Sequence, residues 1–337
     1  MSGDAMRRLS REEFEAQRDA FDRCVAVTPE ISRFGSASAW NMAARDHLKD
    51  VERPPDDRTF IWRDGEGPDD AIWLLFGRSA WDYWQPFESA WMFSCPLIGR
   101  DPGRAVECLR EAAGTLQGGT EPSGFIIGGV REGGMLQRAL RRVGEATAKG
   151  YREFPATNGV SIDLSRGVEA WLGRRSRKFR RSLQTAERRC REAGLSLECC
   201  DGATDPGLLD RLLSIQVRTA KWETGTDIFQ DDRYLEFYRS LFSDLQKRGA
   251  LRLLIARRDG EDVAFIFGGM FAGEYRGLQM SYAGEVAGCG AGNWLQWENL
   301  RLREREGVVQ YDLGMEAPYK LRWADDRHEL RFSFIVL

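Results

Sequence analysis

Three segments of this 337-residue chain combine residue types and spacings that could do chemistry. The first is Gly288-Cys289-Gly290-Ala291-Gly292-Asn293, which follows a strand-like run and opens a helical pattern. Glycine strips side-chain bulk from backbone N–H groups, and at a helix N-terminus those amides seat a phosphate or pyrophosphate. A tight turn without any ligand uses the same residues. The segment is not a Rossmann fingerprint, because it reads as late in an antiparallel run, and no Gly-Lys-Ser/Thr follows to make a Walker loop. The second segment is the helical pattern 171–191. Arg174, Arg175, Arg177, Lys178, Arg180, Arg181, Arg188, Arg189 and Arg191 face only Glu187, a local charge of +8. Such concentration in an acidic chain points to an anion, with a solvated or acid-paired face as the alternative. The third is YDLGMEAPYKLRW (311–323), in which a strand ends at Asp312 and a loop delivers Glu316, Tyr319, Lys320 and Arg322. Charged and phenolic groups where a strand stops can line a cleft, whereas an Asp capping its own loop needs no ligand.

Those groups need elements to hold them. Leu172, Phe179, Leu183, Ala186 and Cys190 recur at helical spacing, so the basic helix (166–193, closed by Gly194) docks one face on a core. LRLLIARR (251–258) and DVAFIFGGMF (262–271) read as a hairpin across Asp259-Gly260, with 275–284 as a third strand. Asn293 is the expected cap of a helix that ends near Gly307. On that helix Glu298 lies four positions from Trp294 and Leu302, on the apolar face. A carboxylate there should be partly desolvated, which suits a general base; pairing with a neighbouring Arg is the alternative. Strands 308–314 and 330–337 close the second half, which reads β-αα-β-β-β-α-β-β. Residues 205–248 read as two helical pieces.

The first half alternates in the same way. Helices are expected at 11–24, 36–48 (capped by Ser36 or Ser38), 103–117 and 133–148. Strands are expected at 59–62, 71–76 and 124–130, with a turn at 64–65, an irregular stretch at 81–96 and a turn at Thr157-Asn158-Gly159 before 160–164. The class is α/β (α+β), and the length favours two domains.

Composition narrows the function. The net charge of −3 excludes a globally basic nucleic-acid binder. Seven scattered Cys without a CxxC, and only His47 and His328, argue against a disulfide framework, a metal site or a His-dependent triad. The Cys are read as small buried residues. No apolar run reaches membrane-spanning length and the first 21 residues are charged throughout, so a cytoplasmic protein is expected. Eleven Trp exceed ordinary core needs, and Trp222, Trp294, Trp297 and Trp323 fall beside the candidate segments.

The second half resembles the GNAT-like acyltransferase domain of cellulose-biosynthesis-associated (CelD/BcsL-type) bacterial proteins, relatives of the Fem-type peptidyltransferases. The resemblance lies in RSRKFRRSL, Lys221-Trp222 before Phe229-Gln230-Asp231-Asp232, the hairpin at 251–271, Gly290-Ala291-Gly292-Asn293-Trp294-Leu295, and the closing YDLG and Tyr319-Lys320. Residues 28–40 and 95–101 are similar to the N-terminal half of the same proteins. The resemblance implies two tandem GNAT-like domains, a degenerate one at 1–165 and an acyltransferase at 166–337, each a mixed, mostly antiparallel sheet flanked by helices. It implies acyl-CoA (acetyl-CoA) as donor, its pyrophosphate on Gly288, Gly290, Ala291, Gly292 and Asn293. The family's usual Gln or Arg ahead of the glycines is absent here. Fem-type relatives use aminoacyl-tRNA instead, which keeps tRNA as a partner.

Acyl transfer to an amine or hydroxyl requires removal of a proton and stabilisation of the leaving group. Glu298 or Asp312 is the candidate base, and Tyr319 or Tyr282 the candidate donor; transfer without any protein base is equally compatible. Lys221, Trp222, Lys320, Arg322, Arg177 and Arg181 are candidates for binding substrate. The leading expectation is an acyl-CoA-dependent N-acyltransferase acting on a small amine or sugar, such as an envelope polysaccharide precursor. An aminoacyl-tRNA-dependent ligase and a non-catalytic binding protein on a GNAT scaffold are the alternatives.

Overall fold

Strand and helix signals in this chain alternate in short segments, and the backbone follows them closely. The structure, a computed structural model, describes residues 6–48, 58–63, 67, 69–79, 81–116, 124–147 and 149–336. Two compact units result: residues 1–158 with 328–337, and residues 159–327. The division thus falls at 158/159 where the sequence reading put it at 165/166. The C-terminal strand expected in the second half lies in the first unit.

The first unit contains β1 (Arg7–Leu9), α1 (Arg11–Glu15), α2 (Arg18–Val27), α3 (Arg33–Ser36), α4 (Ser38–His47), β2 (Arg58–Arg63), β3 (Ala71–Arg78), β4 (Tyr83–Gln85), β5 (Leu97–Ile98), α5 (Pro102–Leu116), β6 (Gly124–Arg131), α6 (Met135–Thr147) and the first part of β7 (Gly150–Asp163). β2 and β3 pair antiparallel as their apolar runs predict; the turn expected at 64–65 lies outside the described residues. The segment 81–96 is irregular except for β4, which pairs with β6 in parallel. Thr157-Asn158-Gly159 makes no turn, because these residues are extended within β7. Ser36 and Ser38 do not cap α4. The Ser38 N–H is taken instead by Asp22 Oδ1 at 2.8 Å, a carboxylate from α2. Phe14, Phe21 and Trp73 meet edge to face at 5.3–6.1 Å at the centre of this unit.

The second unit continues with α7 (Gly167–Gly173), α8 (Arg177–Glu192), β8 (Ser196–Cys199), α9 (Leu208–Gln216), α10 (Ala220–Glu223), α11 (Asp232–Lys247), β9 (Leu251–Arg258), β10 (Glu261–Phe271), β11 (Glu274–Tyr282), α12 (Ala291–Arg305), β12 (Gln310–Met315) and the start of β13 (Asp326–Val336). β8 to β11 form an antiparallel meander. Asp259 and Gly260 both have positive φ (52° and 86°), the backbone that a two-residue hairpin turn requires. Side chains alternate across β10: Ala264 and Ile266 meet α8 and α12, while Phe267 meets Tyr238 and Phe242 of α11.

The expected basic helix is two helices. Ser176 is extended (ψ 150°) and its hydroxyl accepts the Phe179 N–H at 3.2 Å, so a new helix starts there. Phe179, Leu183, Ala186 and Cys190 are buried, as their spacing predicts. Trp171 stacks on Trp297 (6.1 Å) and Trp323 (5.6 Å), and its indole N–H donates to the Trp323 carbonyl at 3.1 Å. Trp294 and Trp323 are both buried in core clusters and do not line a cleft. The region 205–248 comprises three α-helices and a short 3-10 turn, where two pieces were expected. Five of the seven Cys are buried; Cys199 is exposed and Cys289 half-buried.

Candidate active site

The glycine segment sits differently from its sequence reading. β11, α12 and β12 form a βαβ unit with parallel strands, and a 3-10 turn at Gly284–Cys289 joins β11 to α12. Gly290 is the helix cap, in the left-handed conformation (φ 85°); Asn293 lies inside the first turn and caps nothing. The amides of Ala291, Gly292 and Asn293 are those that a helix start leaves for an outside acceptor. Gly288 is exposed, and a side chain there would meet no atom within 4 Å. A Cβ on Gly292 would lie 3.2 Å from the Tyr282 ring, so glycine lets that ring lie close beside the helix start.

β11 and β12 pair over three residues only, Glu274–Arg276 with Gln310–Asp312, and then part. Both strands carry an irregularity at that point. Leu278 is an extra residue opposite Phe267/Gly268 of β10, and β12 shifts register against β7 between Asp312 and Gly314, where Gly314 has φ 80°. Bulges bend strands, and two of them open a fork. Beyond it the Ser281 hydroxyl is buried without a hydrogen-bond partner.

A charged cluster occupies the crotch of the fork. Asp312 is ion-paired with Arg276, which is almost fully buried, and its other oxygen accepts the Gly314 N–H at 2.7 Å. Asp312 therefore caps its own loop, as the plainer reading allowed, and both oxygens are committed. Arg276 is the member of this cluster that sequence reasoning missed; its signal is an arginine inside a strand, between Tyr275 and Gly277. Lys320 is half-buried and donates to the Met315 carbonyl at 2.9 Å. Burial, with Arg276 and Lys221 nearby, lowers its amine to about 8, against an opposing pull from Asp312. Lys221 is exposed. The Tyr319 ring lies 5.9 Å from the Lys320 Nζ and is itself exposed.

The other candidates lie elsewhere in the same unit. The Glu298 carboxylate faces Arg301 at 3.4 Å and does not stand alone on an apolar face. Tyr282 is exposed beside Gly292. The Trp222 N–H is held by Thr219 within α10. Arg322 lies 5.3 Å over the Phe179 ring. Of the nine basic residues in 171–191, Arg174 and Arg175 bind Asp325, Arg188 pairs with Glu192 and Arg191 with Glu187. Arg177, Lys178, Arg180 and Arg181 are exposed without an acidic partner among the described residues. Arg177, Arg180 and Arg181 line an open groove of about 670 Å³ with Trp297 and Arg301, and Glu169 and Glu187 also face it. Among the described residues no three His, Cys, Asp or Glu gather as a metal site would require.

Residues 177–321 match the model of the acetyltransferase (GNAT) domain, a stretch that lies within the second unit. Over nearly the whole chain the structure is similar to that of FemX, with TM-score 0.70, 13% identity, and 98% of this chain and 97% of that one covered. A conserved protein of unknown function from Bacteroides thetaiotaomicron is similar at TM-score 0.60, 14% identity, 96% and 97% covered. So is the C-terminal domain of a putative lysylphosphatidylglycerol synthetase from Agrobacterium fabrum, at TM-score 0.56, 12% identity, 95% and 91% covered. At such identities the likeness is one of fold. No curated protein sequence matches the chain. No helix among the described residues is long and apolar enough to cross a membrane.

Proposed function

We propose that the second unit is an acyltransferase that moves an acyl group from a CoA thioester, acetyl-CoA in the simplest case, to the amine of a small acceptor such as an amino sugar or an envelope polysaccharide precursor. The observation that carries this reading is the fork: β11 and β12 part directly beside a glycine-opened helix start. In this reading the donor pyrophosphate takes the amides at Gly288, Gly290, Ala291, Gly292 and Asn293, where no side chain intrudes. The bound thioester supplies an activated acyl carbon within the fork. The acceptor nitrogen bonds to that carbon, the carbon–sulfur bond breaks, and the ammonium proton must leave.

Lys320 suits that last task better than the two carboxylates. Its amine, lowered to about 8, holds a neutral fraction near physiological pH, while Asp312 is committed to Arg276 and the Gly314 amide and Glu298 faces Arg301. Asp312 and Arg276 then position Lys320. Tyr282, next to the helix start, is placed for the leaving sulfur, with Tyr319 at the lip as the second phenol. Lys221, Trp222 and Arg322 are left to meet the acceptor. The first unit is proposed to be a degenerate GNAT-like scaffold.

A second reading has its own support. Arg177, Lys178, Arg180 and Arg181, without acidic partners among the described residues, fit a donor carried on tRNA. A thermal-shift series with acetyl-CoA, free CoA and an aminoacyl-tRNA separates the two. Stabilisation that grows logarithmically with acetyl-CoA supports the first. Silence with all CoA species, together with stabilisation by aminoacyl-tRNA, overturns it in favour of the second.

A further inference from the structure

The loop that closes the fork is unusual for its surface. Within seven residues it exposes Met315 (48%), Tyr319 (53%) and Leu321 (44%). The loop is nevertheless firmly anchored. Trp323, buried, stacks on Trp171 and meets Phe179 edge-on at 5.1 Å, and the Lys320 and Leu321 amides turn back onto the Ala317 carbonyl. Aliphatic side chains held outward by an anchored loop are not the residue of a poor core; they form a fixed apolar lip.

Cations surround this lip. Arg322 lies over Phe179 of α8, and Arg175, just ahead of the cap Ser176, donates to the Ala324 carbonyl at 2.8 Å; together they hold the loop beside the first turn of α8. That turn and the next expose Arg177, Lys178, Arg180 and Arg181 without acidic partners among the described residues. The acid in the lip itself, Glu316, is taken by Arg327.

We infer that this lip is a docking surface for an anionic lipid bilayer, with Met315 and Leu321 entering the headgroup region and the α8 cations facing lipid phosphates. Exposed aliphatic groups beside unpaired cations meet the two requirements of peripheral membrane binding at once. A nucleic acid would use the cations and rings but would leave Leu321 and Met315 in water. The surface therefore favours lipid over RNA. It rests on the reading in which the fork takes a CoA thioester, since a tRNA donor would claim the same α8 cations, and it would bring the fork to acceptors held at a membrane.

The test is sedimentation of the full chain with vesicles of phosphatidylcholine alone and with 30% phosphatidylglycerol added (about one lipid in three). Binding to the anionic vesicles only, reversed by high salt, is expected. Each cation removed should weaken the partition roughly fivefold, so the Lys178→Gln/Arg180→Gln pair should cost about 25-fold. Leu321→Ser should weaken it separately, at unchanged charge. Circular dichroism melts of the variants check that these exposed positions leave the fold intact. Equal binding to neutral and anionic vesicles, or none to either, overturns the inference. So does binding insensitive to Leu321→Ser with tighter capture of single-stranded RNA at the same ionic strength, which would make the face an RNA surface.

Discussion

Replacing Asp312 by Asn takes away the carboxylate that is ion-paired with the buried Arg276 guanidinium, and the consequences follow from the geometry. The Arg276 side chain is 6% exposed and that of Asp312 16%. Breaking a buried pair by removing one partner costs about 3–5 kcal/mol, and the wetter carboxylate side puts Asp312→Asn at the low end, about 3 kcal/mol. In a unit of this size that lowers the melting temperature by roughly 6–12 °C. Arg276→Met should cost less, about 1–2 kcal/mol, because the carboxylate keeps the Gly314 N–H and reaches water. The double variant Arg276→Met/Asp312→Asn should recover much of the loss, since no charge is then left buried without its partner. Chemical denaturation of the four proteins completes the cycle. The same substitution acts on Lys320. Asp312 raises the proton affinity of that amine, so Asp312→Asn should lower it below about 8 and move the rising limb of a pH–rate profile to lower pH. If Asp312→Asn changes stability by less than about 0.5 kcal/mol and the double variant is no better than either single one, the pair is not a buried charge system and the positioning role fails with it.

Other perturbations test neighbouring features. Lys320→Met should stabilise the protein at pH 7 and lose that advantage toward pH 10. The folded amine is depressed to about 8, so the unfolded chain binds more protons across the window up to its ordinary value, and wild-type stability climbs there with pH. Denaturation at the two pH values measures the difference, and a pH-independent difference contradicts the shift. Gly290→Ala must place a Cβ at φ 85° and 3.1 Å from the Ala186 Cβ; a loss of about 1–2 kcal/mol and weaker CoA binding by titration calorimetry are expected. Ser176→Ala removes the cap that restarts the basic segment, at a cost of about 1 kcal/mol in a thermal melt.

Periodicity alone determined much of this protein. The buried face of α8, the paired strands β2 and β3, the 251–271 hairpin and the helix after the glycines all follow from local spacing and turn chemistry, which act within a few residues. The GNAT-like domain was also legible, from short motifs in the right order. Long-range pairing was not. The Asn158-Gly159 turn signal yields to an extended β7 whose ladder partners lie far along the chain. The β11–β12 parallel contact exists only because α12 carries the chain back over the sheet, and the antiparallel reading of the glycine segment failed for that reason. Glu298 lay on a predicted face, but a helical wheel does not show the rotamer that turns it to Arg301. Arg276 became visible only when two bulges opened the fork around it. Which side chains meet at a site depends on contacts between distant residues, and those are settled by packing the whole unit.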